Sequence, residues 1–123
     1  MKRISHLEIP SDAVLVDIRD ELDAIAMPLS RFSALRVVVA PLSELEDGAP
    51  LELPAGVPLV VVCGTGQRSE LAGAYLLADG ASDVYLLTGG VRLWRQALET
   101  RDLETGALEQ VEARTLETVD LKV

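Results

Sequence analysis

The segment Leu59-Val60-Val61-Val62-Cys63 is apolar at every position, and a Gly-Thr-Gly turn and a helix-compatible stretch follow it directly. A strand with no polar face must be covered on both sides. That is the condition of a central strand in a parallel sheet, whereas a half-exposed antiparallel strand alternates apolar and polar residues. Pro58 stands where such a strand can begin, because its missing N–H costs nothing there.

The rest of the chain repeats this alternation of strand and helix. Ala13–Ile18 is a β-branched run followed by the helix-tolerant segment Asp20–Ala26, and Leu35–Val39 is a second run, stopped by Pro41. Ser43 and Glu46 have the spacing of a capping box, which predicts one or two helical turns ending at Gly48. A helix is expected over Ser69–Ala78, with Leu71, Ala74, Tyr75 and Ala78 on its apolar face and Gly80 as its stop. Val84–Leu87 reads as a further strand, turned by Gly89-Gly90 into a helix over Val91–Leu98 with Trp94 as a core anchor. Strands alternating with helices imply an α/β domain with a parallel sheet and right-handed crossovers.

Composition limits what such a domain can do. With 123 residues the chain fits one domain, divided here into residues 1–98 and an acidic C-terminal extension, 99–123. The extension ends on the alternating Val119, Leu121 and Val123, which suits an edge strand, a partner contact or a frayed terminus. One cysteine cannot close an internal disulfide, and one Cys with one His cannot furnish a closed zinc site. The longest charge-free window, Leu53–Gln67, is 15 residues broken by two prolines, too short for a membrane span. Basic residues at the start have no apolar signal-peptide core behind them, so the expected compartment is the cytoplasm. A net charge of −9 argues against nucleic acid and anionic membrane as partners.

The chemistry concentrates in Cys63-Gly64-Thr65-Gly66-Gln67-Arg68-Ser69, at the carboxyl edge of the sheet where open α/β folds bind ligands. Two glycines let the backbone curl, and amides ahead of the helix can converge as an anion nest. A thiol facing that nest is expected to favour thiolate, helped by the helix N-terminus and Arg68. A lone cysteine ending an apolar strand is most simply a small buried core residue. A core position does not require two glycines, an arginine and a helix start within six residues, so the loop favours an activated nucleophile.

Other loop chemistries fit less well. The dinucleotide fingerprint lacks its third glycine at Ser69, and a Walker loop needs a lysine, of which none stands between Lys2 and Lys122. A cysteine phosphatase places five residues between Cys and Arg. Here there are four, a cradle one residue smaller that a tetrahedral phosphate is expected to fit poorly.

Taken in order, Val14–Asp20, Pro41–Leu45, Cys63-x-x-Gly66-x-Arg68-Ser69 and Val84-Tyr85…Gly89-Gly90-Val91…Trp94 resemble a single rhodanese-like domain over roughly residues 8–98. Ser43–Gly48 also looks like the rhodanese domain of the molybdopterin-synthase-activating sulfurtransferases. The resemblance implies a three-layer fold with a five-stranded parallel sheet of order 1-5-4-2-3 and helices on both faces. It further implies transfer of sulfane sulfur through a Cys63 persulfide, bound by Gly64, Thr65, Gly66, Gln67, Arg68 and Ser69, without cofactor or metal. The donor would be thiosulfate, a mercapto acid or a persulfide-bearing protein; the acceptor would be cyanide, a thiol or a sulfur-carrier protein. Asp17 and Arg19 match the family's D-x-R, with Asp17 expected to orient Arg68 or the loop and Arg19 to add positive potential; a surface ion pair is the plainer alternative.

Two departures limit the likeness: Ala26–Ser30 replaces the usual Gly-His-Ile-type segment, and the loop's variable positions carry no basic residue. A non-catalytic partner-binding module and, further off, a small phosphatase or arsenate reductase are the competing functions. His6 is expected exposed or half-packed, without a catalytic part.

Overall fold

The computed structural model describes residues 1–104, with side chains to Arg101. The expectations for the end of the chain, Val119 to Val123 included, lie outside the described residues. Five strands, β1 (Lys2–Ile4), β2 (Val14–Asp17), β3 (Val37–Val39), β4 (Leu59–Val62) and β5 (Val84–Leu87), form one sheet of order β1-β5-β4-β2-β3. Every neighbouring pair is parallel. Four helices connect or follow them: α1 (Glu21–Ala26), α2 (Leu42–Glu46), α3 (Ser69–Ala78) and α4 (Gly90–Glu104), with 3-10 turns at His6–Glu8 and Leu29–Arg31.

The unbroken apolar run of β4 occupies the centre, and each of its residues is buried. Its side chains alternate between two cores, as strand geometry requires. Val61 and Cys63 join Val14, Val16, Ala72 and Leu76 on the side of α2 and α3. Val60 and Val62 join Leu15, Leu87, Val91 and Trp94 on the opposite side, under α4. Trp94 anchors that second core, tilted against Phe32 at 5.4 Å and stacked with His6 at 6.4 Å, ring centre to ring centre. His6 is half-buried in this packing, as the sequence reading allowed.

Four local features depart from the sequence reading. The edge strand β1 carries Lys2 and Arg3 exposed and only Ile4 buried, so it has too little apolar pattern to be seen. Just after it, the Ser5 N–H donates to Glu8 Oε1 at 2.8 Å, and chiefly that bond holds the Glu8 carboxyl below the usual 4.5.

The capping box at Ser43 does not form. Helix α2 starts at Leu42 with Pro41 before it and no side-chain cap, because the Leu42 N–H bonds the Ile18 carbonyl at 3.1 Å and its side chain is buried. On α3 the buried positions are Ser69, Ala72, Gly73 and Leu76, while Leu71 and Tyr75 face solvent. This is the expected spacing displaced by two residues, which puts it on the opposite side of the helix. The small side chains let the helix lie close: a Cβ at Gly73 would stand 3.0 Å from the Leu86 side chain. Finally, α4 continues past Leu98 to Glu104.

Leu15, fully buried between β3 and β4, tests the second core. Leu15→Ala is expected to cost about 3 kcal/mol, read as a lower denaturant midpoint with an unchanged slope.

Candidate active site

The end of β4 delivers Cys63 to the carboxyl edge of the sheet, where the chain leaves the strand and turns through residues 64–68 into α3. The turn closes on the sulfur. The Gly66 N–H donates to Cys63 Sγ at 2.8 Å, and Gly66 has φ +88°, a conformation that favours glycine. The Ser69 hydroxyl, fully buried at the first position of α3, donates to the Gly66 carbonyl at 3.0 Å and fixes the following peptide, so Gly66 is held on both sides. Arg3 of β1 reaches the same carbonyl at 3.4 Å and pairs with Glu70 at 3.3 Å. Among the described residues, Gly66 supplies the loop amide hydrogen bond to the sulfur; the wider nest expected over Gly64–Ser69 is represented by this one contact.

Cys63 is 1% exposed and belongs to the core cluster on the α3 side. The core and nucleophile readings therefore describe one residue: its sulfur is packed like a core atom and also receives an amide hydrogen bond. Around it Gly64 is half-buried, while Thr65, Gln67 and Arg68 are exposed. The Arg68 guanidinium takes no hydrogen-bond or ion-pair partner among the described residues, so it is free to meet an anion arriving from solvent.

A second loop holds the first in place. The Val91 and Arg92 amides at the start of α4 donate to the carbonyls of Cys63 and Gly64, at 2.9 and 3.0 Å. These backbones meet at glycines. A Cβ on Gly66 would lie 2.8 Å from the Gly89 nitrogen, and one on Gly90 would lie 2.3 Å from the Cys63 carbonyl oxygen. Gly89-Gly90 is thus more than the turn read from sequence. It is the surface on which the cysteine loop rests, and two consecutive glycines were the only sequence signal of it.

The D-x-R pair requires a correction. Asp17 does not orient Arg68 or the loop, because Arg19 occupies both its carboxylate oxygens, Nε to Oδ1 at 3.0 Å and Nη2 to Oδ2 at 2.8 Å. The Arg19 N–H adds a bond to Oδ1 at 3.1 Å. Nor is this a surface ion pair, since the two side chains are 5% and 1% exposed. The remaining guanidinium donors reach the Asp23 carbonyl at 3.4 Å and the Met27 carbonyl at 2.7 Å. Arg19 therefore ties the carboxyl end of β2 to both ends of the α1 turn. Ala26–Ser30, which replaces the family's usual segment, supplies a carbonyl to this arrangement.

Beside Gly64 opens a groove of about 420 Å³ between α1 and α4, lined by Arg19, Asp23, Met27, Arg92, Arg95 and Glu99 among others. Arg3 and Arg92, absent from the sequence-based site, come from an edge strand and from a helix surface. Nothing local marks either one.

Two substitutions probe this construction. Asp17→Asn leaves a buried guanidinium without its counter-charge and is expected to cost roughly 3 kcal/mol in denaturant unfolding. Gly90→Ala meets the Cys63 carbonyl and also suits its φ of +61° poorly, so the cysteine loop must shift. The expected readout is a lower Tm together with faster alkylation of Cys63 by iodoacetamide.

Comparison with known proteins agrees with this geometry. The profile of the Rhodanese-like domain matches residues 5–97. Thiosulfate sulfurtransferase GlpE of Pseudomonas fluorescens (strain Pf0-1) is 40% identical over 83 residues, which is 68% of this chain and 71% of the relative. Among solved structures, a rhodanese homologue from the extremely thermophilic bacterium Thermus thermophilus superposes with a TM-score of 0.56 at 27% identity, covering 75% of this chain and 99% of that one. The NAD-dependent persulfide reductase from A. fulgidus gives a TM-score of 0.59 at 31% identity, covering 76% of this chain but 16% of the larger protein.

Proposed function

The chain belongs to the rhodanese-like family, and from that membership we propose that it is a sulfurtransferase working through a persulfide on Cys63. The observation that carries the reading is the amide hydrogen bond from Gly66 to the sulfur of the one cysteine, at the mouth of a glycine-built loop. With thiosulfate as donor, the Cys63 thiolate attacks the outer sulfur. The bond to the sulfonate sulfur breaks, and sulfite leaves with its electron pair. The product, Cys63–S–S⁻, keeps one negative charge at the place where the Gly66 amide points. A donor already fixed by the fold stabilises such charge without reorganising during the reaction. A second thiolate then attacks the outer sulfur, forms its own persulfide and returns Cys63 as thiolate, the two-step exchange of nucleophilic covalent catalysis.

The surrounding residues suit these steps. Arg68, exposed and unpartnered among the described residues, meets an incoming dianion against an acidic chain. The amides of Gly64, Thr65, Gln67 and Ser69 lie along the loop that would wrap the outer sulfur. Asp17 and Arg19 act through the architecture that holds β2 and α1. Transfer to a sulfur-carrier protein is a further use of the same persulfide. A lone cysteine in this role fits a reducing compartment such as the cytoplasm. The domain read from sequence as residues 1–98 extends through the rest of α4 to Glu104, with the residues after it as an appended segment.

Incubation with thiosulfate followed by intact-protein mass spectrometry is expected to show one added sulfur atom, lost on addition of cyanide. Cys63→Ser should take up none and should lose turnover by at least about a thousandfold, as removing a covalent nucleophile does. Equal turnover by this variant would sink the reading.

A further inference from the structure

The groove beside Gly64 is larger than thiosulfate needs, and its charges are unevenly distributed. Its volume of about 420 Å³ lies in the range of pockets that hold small organic ligands. Three arginines line it. Arg19 is buried and all its bonding is internal, to Asp17 and to the carbonyls of Asp23 and Met27. Arg95 is paired, though loosely, with Glu99 at 3.8 Å. Arg92 is exposed and has no side-chain partner among the described residues. Its backbone amide is bonded to the Gly64 carbonyl at 3.0 Å, so this arginine is rooted beside the residue that follows the nucleophile.

The acids of the groove sit elsewhere. Glu99 stands seven residues further along α4, about 10 Å along the helix axis from Arg92. Asp23 belongs to the opposite wall, on α1. An anion entering the groove is thus repelled from its far end and from its α1 wall, and is met by Arg92, which lines the groove and whose backbone is bonded to Gly64. At Gly64 itself the space is open, since a Cβ built there meets nothing within 4 Å.

We propose that this groove seats a low-molecular-weight thiol bearing a carboxylate, the acceptor of sulfur from Cys63, and that Arg92 binds the carboxylate. Arginine suits this task because its planar fork matches a carboxylate with two parallel hydrogen bonds. With the carboxylate held beside Gly64, the thiol need extend only a few atoms to reach the persulfide. The bound thiolate attacks the outer sulfur of Cys63–S–S⁻. The new S–S bond forms on the acceptor, the old one breaks, and Cys63 leaves as thiolate, with no net oxidation or reduction. The proposal rests on the persulfide reading above and adds to it the chemical class of the acceptor.

The test is a single-turnover discharge. Full-length protein is loaded with thiosulfate, freed of excess donor, and mixed with 3-mercaptopropionate or with its neutral amide, 3-mercaptopropionamide. Rates are taken below saturation and corrected for the thiolate fraction of each thiol. The acid is expected to discharge the persulfide about tenfold faster than the amide, the scale of one charge-assisted hydrogen bond in a partly solvated site. That preference should shrink as salt is added. Arg92→Gln should bring the ratio of the two rates close to one, and Arg92→Lys should restore part of it. A loaded wild-type protein that discharges both thiols equally overturns the proposal, as does an Arg92→Gln variant that keeps the preference. A protein that takes up no sulfur from thiosulfate overturns the persulfide reading itself, a distinct outcome seen before any acceptor is added. The wild-type comparison of acid with amide needs no variant, so a misfolded Arg92 substitution does not shield the idea.

Discussion

The close approach of two backbone segments, the loop after β4 and the turn after β5, is the constraint on which the site depends. Four peptide groups settle it: the carbonyls of Cys63 and Gly64 accept the amides of Val91 and Arg92. Side chains are excluded from the contact, because a Cβ on Gly66 or Gly90 would run into the opposing backbone. Backbone groups buried at such a contact must find partners, and here each segment satisfies the other. One consequence is that α4 begins against the cysteine loop, with the otherwise unbonded amides of its first turn already occupied. Another is that Gly66 adopts the left-handed turn that aims its N–H at the sulfur.

A second brace works at the other edge of the site. The Asp17–Arg19 fork is buried, and burial of two charges is tolerable only because nearly every donor and acceptor on them is used. Its carbonyl contacts to Asp23 and Met27 hold α1 at the distance that leaves a groove in front of α4. The cationic groups near Cys63 therefore divide by task. Arg19 is structural, Arg3 props the Gly66 carbonyl, and Arg68 and Arg92 stay open to ligands on a chain whose net charge is −9. Few anionic species would gather on so acidic a surface, so the binding of any anion there depends on these local cations.

Much of this was legible before the fold was seen. Unbroken apolar runs identify buried parallel strands because both faces are covered, and β2, β4 and β5 lie where those runs stand. The boundaries of α3, from Ser69 to Ala78, follow from the glycine loop before it and Gly80 after it. The face of α3 was not legible. Its residues are apolar nearly all round, so helical periodicity gives no preferred direction, and the rotation is decided by which side carries the small Ala72 and Gly73. The capping box at Ser43 failed for a similar reason, since a tertiary hydrogen bond from Leu42 to Ile18 sets the start of α2 two residues earlier.

By itself the sequence determined the class of fold, the order of its main elements and the one cysteine that the proposed function uses as nucleophile. Those depend on patterns that are local along the chain: apolar runs, glycine turns, and one cysteine placed between a strand and a helix. Only the tertiary structure decided what surrounds that cysteine. Arg3 lies more than sixty residues from the carbonyl that it supports, and Gly90 meets Cys63 from the next strand's turn. Asp17 proved to be committed to Arg19 and not to the loop. Such contacts are set by how strands stack across the sheet, and a linear pattern carries no record of which backbones will touch.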